Sequence, residues 1–267
     1  MLAAIGSCYI SADSNQGGEA VNETRTIATK DGPMGVVVQH PDGAGPFPVV
    51  LFFHHGPGLD EGSRQAMATI ADAGYYVIGP DRYYRHGEFL VFNMRELRSP
   101  DADPVAAQRF REAFEGTTDD LVEDDVGAIL DYLKGDPAAR PSPMGCIGYC
   151  IGARSVLRTI AAHPDTFTVG IALHPSLCVT DDDDSPHLGV ASFAGRLYVG
   201  IGAEDQMMSA EMNKPLTDAV SGLGDRGMFE VHEGANHGFA VPGPAYHEAA
   251  ASRSYEQALA MFEKGLA

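Results

Sequence analysis

Short, almost wholly apolar runs alternate along this chain with longer segments of helical spacing, and this alternation constrains the fold more than any other feature. Examples of the runs are "PVVLFF", "YYVIG" and "FTVGIAL". A continuous apolar run is typical of a strand that is buried on both faces, as strands of a parallel sheet are. Between them, residues 119–133 carry their leucine, isoleucine and valine side chains on one helical face. The pattern predicts an α/β fold with a mostly parallel central sheet and helices on both faces.

The chain of 267 residues is 44% hydrophobic, which is enough to bury one full core. We expect residues 24–267 to form a single domain. Residues 1–23 include a polar, glycine-rich stretch, and they are interpreted as a loose leader. Residues 83–118 mix arginine, aromatic residues and proline, so we expect an irregular segment that could cap a site.

The net charge of −19 argues against nucleic acid or an anionic membrane surface as a partner. No stretch approaches the ~20 apolar residues of a membrane-spanning helix, and the first residues lack the basic region of a signal peptide. A cytoplasmic location is therefore predicted, as a monomer or a homodimer. The acidic run at residues 181–184 is interpreted as a solvated loop, and no metal or cofactor is predicted.

A cysteine stands between two glycines in Gly148-Tyr149-Cys150-Ile151-Gly152. The pattern is that of a nucleophile elbow, a strained turn from strand to helix that tolerates only small neighbours. A thiol needs a base or a positive neighbour to attack as thiolate at neutral pH. Cys150 is thus the candidate nucleophile, whereas Cys146 falls inside the preceding strand.

An acid and a histidine follow Cys150 at the ends of later predicted strands. "GIGAEDQ" supplies Asp205, with Glu204 as the rival acid, and "EGANH" supplies His237. Histidine is the side chain whose ordinary pKa suits proton transfer near neutrality. The order nucleophile, acid, histidine is the order of the α/β-hydrolases.

An oxyanion site would need two backbone N–H groups. One is predicted to be that of Ile151, at the N-terminus of the helix behind the elbow. The second is expected from "FFHHGPG", the loop after the first buried strand, with His55 or Gly56 as the donor.

Taken together, these motifs resemble the dienelactone hydrolase family, the cysteine-nucleophile branch of the α/β-hydrolases. The resemblance spans residues 24–263. It rests, in chain order, on "DGPMGVVVQHPDGAGPFPVVL", "GPDRYYRHG", "GCIGYCIGAR", "GAEDQ" and "GANHGFAVPG". It implies an α/β-hydrolase fold and hydrolysis of a lactone or small carboxylic ester through a covalent thioester.

The resemblance also implies residue roles. Cys150, Asp205 and His237 match the family's triad, and Arg85 matches an arginine that holds a substrate carboxylate. An alternative is that Arg85 only pairs with a nearby acid such as Glu88.

Two positions depart from the family pattern. His55 stands where the best-studied type of member has a glutamate, and Val241 replaces a second substrate-binding arginine. Thioester or small-amide hydrolysis on the same triad, and an inactive member that only binds a ligand, remain alternative functions.

Overall fold

The computed structural model describes residues 20–267. Within them the chain forms one eight-stranded sheet in the order β1-β2-β4-β3-β5-β6-β7-β8. The strands are β1 (Val21–Thr29), β2 (Gly32–His40), β3 (Phe47–Phe53), β4 (Tyr76–Pro80), β5 (Ala139–Tyr149), β6 (Phe167–Leu173), β7 (Arg196–Gly202) and β8 (Gly227–His232). β2 pairs antiparallel with β1 and β4, and all other neighbours pair in parallel.

Helices cover both faces of the sheet. They are α1 (Glu61–Asp72), α2 (Met94–Leu97), α3 (Pro104–Glu115), α4 (Asp119–Leu133), α5 (Ile151–Ala162), α6 (Lys214–Ser221) and α7 (Glu248–Gly265). The apolar faces of α1 and α7 share one hydrophobic core with the sheet. Those of α4, α5 and α6 form the core on the opposite face. The predicted mostly parallel sheet with helices on both sides is therefore confirmed.

The predicted helix over residues 119–133 is confirmed as α4. Its buried residues Val122, Val126, Ile129 and Leu133 recur at intervals of three and four, so they form one stripe against the sheet. Burial of this stripe, more than intrinsic helix propensity, holds the helix in place.

The N-terminal boundary differs from the prediction. β1 begins at Val21, so residues 21–23 belong to the sheet and not to a leader. The remainder of the predicted leader, residues 1–19, lies outside the described residues. No helix in residues 20–267 has both the length and the apolar content needed to cross a membrane. The cytoplasmic location stays a prediction.

The expectation of an irregular segment at 83–118 is wrong, because the segment contains α2 and the three-turn helix α3. Asp103 caps α3 by accepting the N–H of Val105, and Pro104 occupies the first position, where proline is favoured. Only Ala113 of this helix is buried. Ala106, Phe110, Ala113 and Phe114 recur at helical spacing on one face of α3, but all except Ala113 are only partly buried.

The segment packs against the loop that follows β3. Phe92 donates its backbone N–H to the carbonyl of Pro57 at 2.8 Å. The ring of Phe92 lies edge-on to those of Tyr83 and Phe110, 5.7 and 5.2 Å away. The Tyr83 hydroxyl in turn donates to the carbonyl of Gly56 at 2.9 Å. These contacts hold the segment beside the carboxyl end of the sheet, where sites of α/β proteins lie.

Candidate active site

Cys150 occupies a strained turn between β5 and α5. Its φ of 56° lies in the left-handed region that non-glycine residues rarely adopt. A Cβ added at Gly148 would lie 2.1 Å from the carbonyl oxygen of Gly152, and one added at Gly152 would lie 2.2 Å from that of Phe53. Only glycine fits these two positions. The two glycines therefore allow the elbow to pack against its own helix and against the end of β3.

Asp205 and His237 contact each other at the carboxyl ends of β7 and β8. Nδ1 of His237 lies 2.7 Å from Oδ2 of Asp205, whose side chain is fully buried. The other carboxylate oxygen accepts the N–H groups of Met207 and Met208. Burial alone would raise the pKa of Asp205, but the hydrogen bond from His237 and these N–H groups lower it. Glu204 is exposed, so the geometry favours Asp205 as the acid.

The thiol of Cys150 and the imidazole of His237 influence each other's ionisation. Burial would raise the pKa of Cys150, but the interactions with His237, Ser176 and His55 together outweigh it and lower the pKa to about 7. Burial would likewise lower the pKa of His237, yet Asp205 and Cys150 raise it to about 9. Nε2 of His237 is buried and makes no hydrogen bond to any described residue. The lowered pKa of Cys150 and the raised pKa of His237 both favour the thiolate and imidazolium forms of the pair.

The N–H groups named as oxyanion donors are free in the described part of the chain. Those of His55, Gly56 and Ile151 donate to no acceptor there. Phe53 pairs with Gly148 in the β3–β5 register, so the loop after β3 runs beside the elbow. Free N–H groups on both sides of the thiol are what an oxyanion site requires.

His55 is held by an acid, as His237 is. Its Nε2 lies 3.1 Å from Oδ2 of Asp60, which also caps α1 by accepting the N–H of Ser63. The interaction with His55 is among those that lower the pKa of Cys150. The position where the resemblance implies a glutamate is thus filled by a histidine whose partner is a carboxylate.

Arg85 is not brought to the elbow. Its guanidinium donates two hydrogen bonds at 2.8 Å to the carboxylate of Asp125 on α4, and it also binds Asp31 in the β1–β2 turn. The ring of Tyr84 covers the guanidinium at 4.4 Å. The expected role as a free substrate clamp is therefore corrected, and the expected alternative partner, Glu88, is not among these contacts. Two other aspartates occupy the donors instead.

Val241, at the position of the family's second arginine, is buried in the core against α1. A Cβ added at Gly62 of that helix would lie 3.0 Å from its side chain. Val241 thus contributes to packing, and the sequence offered no signal that separates this role from lining a pocket.

Sequence reasoning missed Arg82. This arginine is buried, and its Nε has no hydrogen-bond partner among the described residues. Its Nη2 donates a long hydrogen bond of 3.5 Å to the carbonyl of Thr117. Burial lowers the pKa of Arg82, while Tyr83 and the nearby Cys150 oppose this effect. "PDRYYR" contains two arginines, and only the tertiary contacts show which of them is paired.

Two further residues near the thiol come from the turn after β6. Oγ of Ser176 lies 3.3 Å from Sγ of Cys150, and the ring of His174 lies 5.1 Å from that of His237. Both are buried, and neither ring nitrogen of His174 has a partner in residues 20–267. Their position at the end of a predicted strand, in "ALHPS", is the signal that could have identified them.

The other described cysteines differ from Cys150. Cys146 and Cys178 are buried, and burial raises the pKa of both thiols. The four aspartates at 181–184 are exposed, as expected for a solvated loop. Within residues 20–267, no three histidine, cysteine or acidic side chains come together in a group that could hold a metal ion.

The family model for the dienelactone hydrolases matches residues 34–266, nearly the whole chain. The chain belongs to the dienelactone hydrolase family. A carboxymethylenebutenolidase of Pseudomonas putida is 25% identical over 247 residues, which cover 90% of this chain and 95% of the relative. Dienlactone hydrolase 1 of Gibberella moniliformis is 26% identical over 192 residues, which cover 72% and 68%.

Solved structures agree with this assignment at the level of the fold. A candidate dienelactone hydrolase of Klebsiella pneumoniae superposes with a TM-score of 0.78 at 19% identity, and the match covers 92% of this chain and 100% of the other. The predicted α/β-hydrolase fold is thus confirmed. The prediction of a dienelactone hydrolase-like hydrolase of lactones or carboxylic esters is likewise confirmed by membership of the family.

Proposed function

We propose that this dienelactone hydrolase family member cleaves a lactone or a small carboxylic ester at Cys150, through a covalent acyl-thioester intermediate. The observation that carries the proposal is the 2.7 Å contact between Asp205 and His237 beside a thiol whose pKa is lowered to about 7. A thiolate at neutral pH is the nucleophilic form of cysteine.

In the first step the thiolate of Cys150 attacks the carbonyl carbon of the ester or lactone. The new S–C bond forms as the carbonyl π electrons move to oxygen, and the tetrahedral intermediate then collapses with loss of the C–O bond. The imidazolium of His237 gives its Nε2 proton to the leaving oxygen, which departs as the alcohol. In a lactone, that alcohol remains attached to the acyl group.

The second step releases the acid. His237, now neutral, takes a proton from water, and the resulting hydroxide forms a C–O bond to the thioester carbon. The S–C bond breaks, the carboxylic acid leaves, and the thiolate and imidazolium are restored. Asp205 holds the imidazole in one tautomer throughout and stabilises the positive ring without taking its proton.

The free N–H groups of Ile151 and of His55 or Gly56 would bind the negative oxygen that develops in both steps. Donors that are already oriented stabilise this charge without reorganisation, and the loss of one typically costs about 10²–10³ in rate. The Tyr83 hydroxyl, which binds the Gly56 carbonyl, would keep the second donor in place.

Two observations support a small-molecule lactone or ester as the substrate. The relative from Pseudomonas putida is named a carboxymethylenebutenolidase, and the net charge of −19 disfavours a polyanionic substrate. Because Arg85 is already occupied by Asp31 and Asp125, we do not assign it to substrate binding.

The test compares Cys150→Ala with Cys146→Ala on p-nitrophenyl acetate and on a panel of lactones. We expect Cys150→Ala to lose at least ~10³-fold in kcat/KM. Cys146→Ala should keep its activity and lose about 1 kcal/mol of stability, because a buried side chain is trimmed. An active Cys150→Ala enzyme, or a wild type that hydrolyses no ester or lactone, would contradict the proposal.

A further inference from the structure

We propose that Ser176 is a further catalytic residue, whose hydroxyl donates a hydrogen bond to the thiolate of Cys150. The inference rests on the proposed role of Cys150 as the nucleophile. It assigns the sulfur a second donor, from the turn after β6, in addition to the imidazolium of His237.

The backbone fixes the hydroxyl relative to the sulfur. The N–H of Cys150 donates to the carbonyl of Leu173 at 3.1 Å, and the N–H of Ser176 donates back to the carbonyl of Cys150 at 3.0 Å. The elbow residue is therefore hydrogen-bonded on both sides to the end of β6. This arrangement leaves Oγ of Ser176 3.3 Å from Sγ, within hydrogen-bond distance for sulfur.

The turn that carries Ser176 is strained. His174 and Leu177, on either side of it, have φ values of 38° and 54°, although neither is glycine. Strained backbone of this kind costs free energy and tends to occur where a side chain must be aimed at a functional group. Ser176 itself is only 4% exposed, so its hydroxyl has little access to solvent.

Charge decides the direction of the hydrogen bond. A thiolate has no proton, so it can only accept, and the Ser176 hydroxyl makes no other side-chain hydrogen bond in the described residues. The interaction lowers the pKa of Cys150 in the same sense as that with His237. The hydroxyl thus favours the attacking form and, in the second step, the thiolate leaving group.

The experiment measures the rate at which iodoacetamide alkylates Cys150 as a function of pH, with the modified peptide identified by mass spectrometry. Wild type should show an inflection near pH 7. In Ser176→Ala we expect the inflection about one pH unit higher, because the thiolate loses a hydrogen bond that stabilises its charge. Alkylation would then be about tenfold slower at pH 6 and within about twofold of wild type at pH 9.

The matched control is Ser254→Ala. Ser254 is also a buried serine, but its hydroxyl contacts His232 and Tyr198, away from the thiol. Its alkylation profile should equal that of wild type. An unchanged or lowered inflection in folded Ser176→Ala would overturn the proposal, and a lowered one would mean that the thiol donates to the serine.

If Ser176→Ala does not fold, Ser176→Thr and Ser176→Val replace it, since they match in volume and differ in the hydroxyl. An inflection about one pH unit higher in Ser176→Val than in Ser176→Thr supports the proposal, and an equal or lower one overturns it. Alkylation needs no substrate, so the result is separate from the proposed function. If the inflection rises in Ser176→Ala but wild type hydrolyses no ester or lactone, the proposed function is contradicted while the proposed hydrogen bond to Cys150 still holds.

Discussion

Two histidines near the end of β8 occupy opposite kinds of surroundings. His232 lies in a closed polar network, in which its Nε2 contacts the hydroxyls of Ser254 and Tyr198 at 3.1 and 3.2 Å. Tyr198 also donates to Glu230, which is bound by Arg253. Burial lowers the pKa of His232, so the ring is neutral at pH 7. Its Nε2 is thus satisfied by two hydroxyls within the fold.

His237 is paired on one side only. Asp205 holds Nδ1, whereas Nε2 is buried without a partner in the described residues, and the pKa is raised to about 9. A buried polar atom without a partner costs free energy, so native proteins retain few of them. The difference teaches that histidine content alone does not mark a site. His237 differs from His232 in combining an unpaired Nε2 with a buried carboxylate at Nδ1 and with a neighbouring thiol, Cys150, that raises its pKa.

The largest expected difference comes from exchanging each histidine for alanine. His237→Ala should lower kcat/KM by at least ~10³-fold, because the proposed mechanism moves the proton through its imidazole in both steps. His232→Ala should keep activity within about threefold but lose about 1–3 kcal/mol of stability, because the hydroxyls of Ser254 and Tyr198 each lose their contact with the buried imidazole. Ester hydrolysis and urea unfolding measure the two effects. Comparable activity losses in both variants would remove the distinction between the two regions.

The next largest effect is expected at the acid. Asp205→Asn should leave the fold intact and lower kcat by about 10²–10⁴-fold, because the amide favours the wrong tautomer of His237. The neighbouring Glu204 is exposed, so Glu204→Gln is the matched control and should be nearly silent. Steady-state kinetics and circular dichroism on both variants provide the measurement. If Glu204→Gln were the more damaged enzyme, the assignment of Asp205 would be wrong.

The smallest effect on catalysis is expected at Arg85, which resembles His232 in having hydrogen-bond partners within the fold. Arg85→Ala should lower stability by about 1–3 kcal/mol, because Asp125 on α4 loses its bidentate partner. The ratio of kcat/KM for a carboxylated ester and its neutral analogue should stay within about twofold. A tenfold fall in that ratio would show that Arg85 leaves Asp31 and Asp125 to bind substrate.

Local patterns predicted those features that depend on neighbours in the sequence. The stripe of α4 and the glycines around Cys150 are of this kind, since helical period and close backbone approach are properties of short segments. Helix α3 was missed although Ala106, Phe110, Ala113 and Phe114 recur at helical spacing, because the mixture of arginine, aromatic residues and proline in residues 83–118 indicated an irregular segment. The resemblance to the family assigned Arg85 to substrate binding. Its actual partners lie far from it in the sequence, in the β1–β2 turn and on α4.

The sequence by itself determined the alternation of strands and helices, the elbow at Cys150 and the order in which Asp205 and His237 follow it. Only the tertiary structure decided that Ser176 contacts the thiol and that, among the described residues, Arg85 forms ion pairs with two aspartates while Arg82 forms none. The physical reason is that these contacts join loops from different strands. They depend on the order β1-β2-β4-β3-β5-β6-β7-β8 and on the direction of each side chain at the sheet edge. Neither is encoded in the periodicity of any single segment.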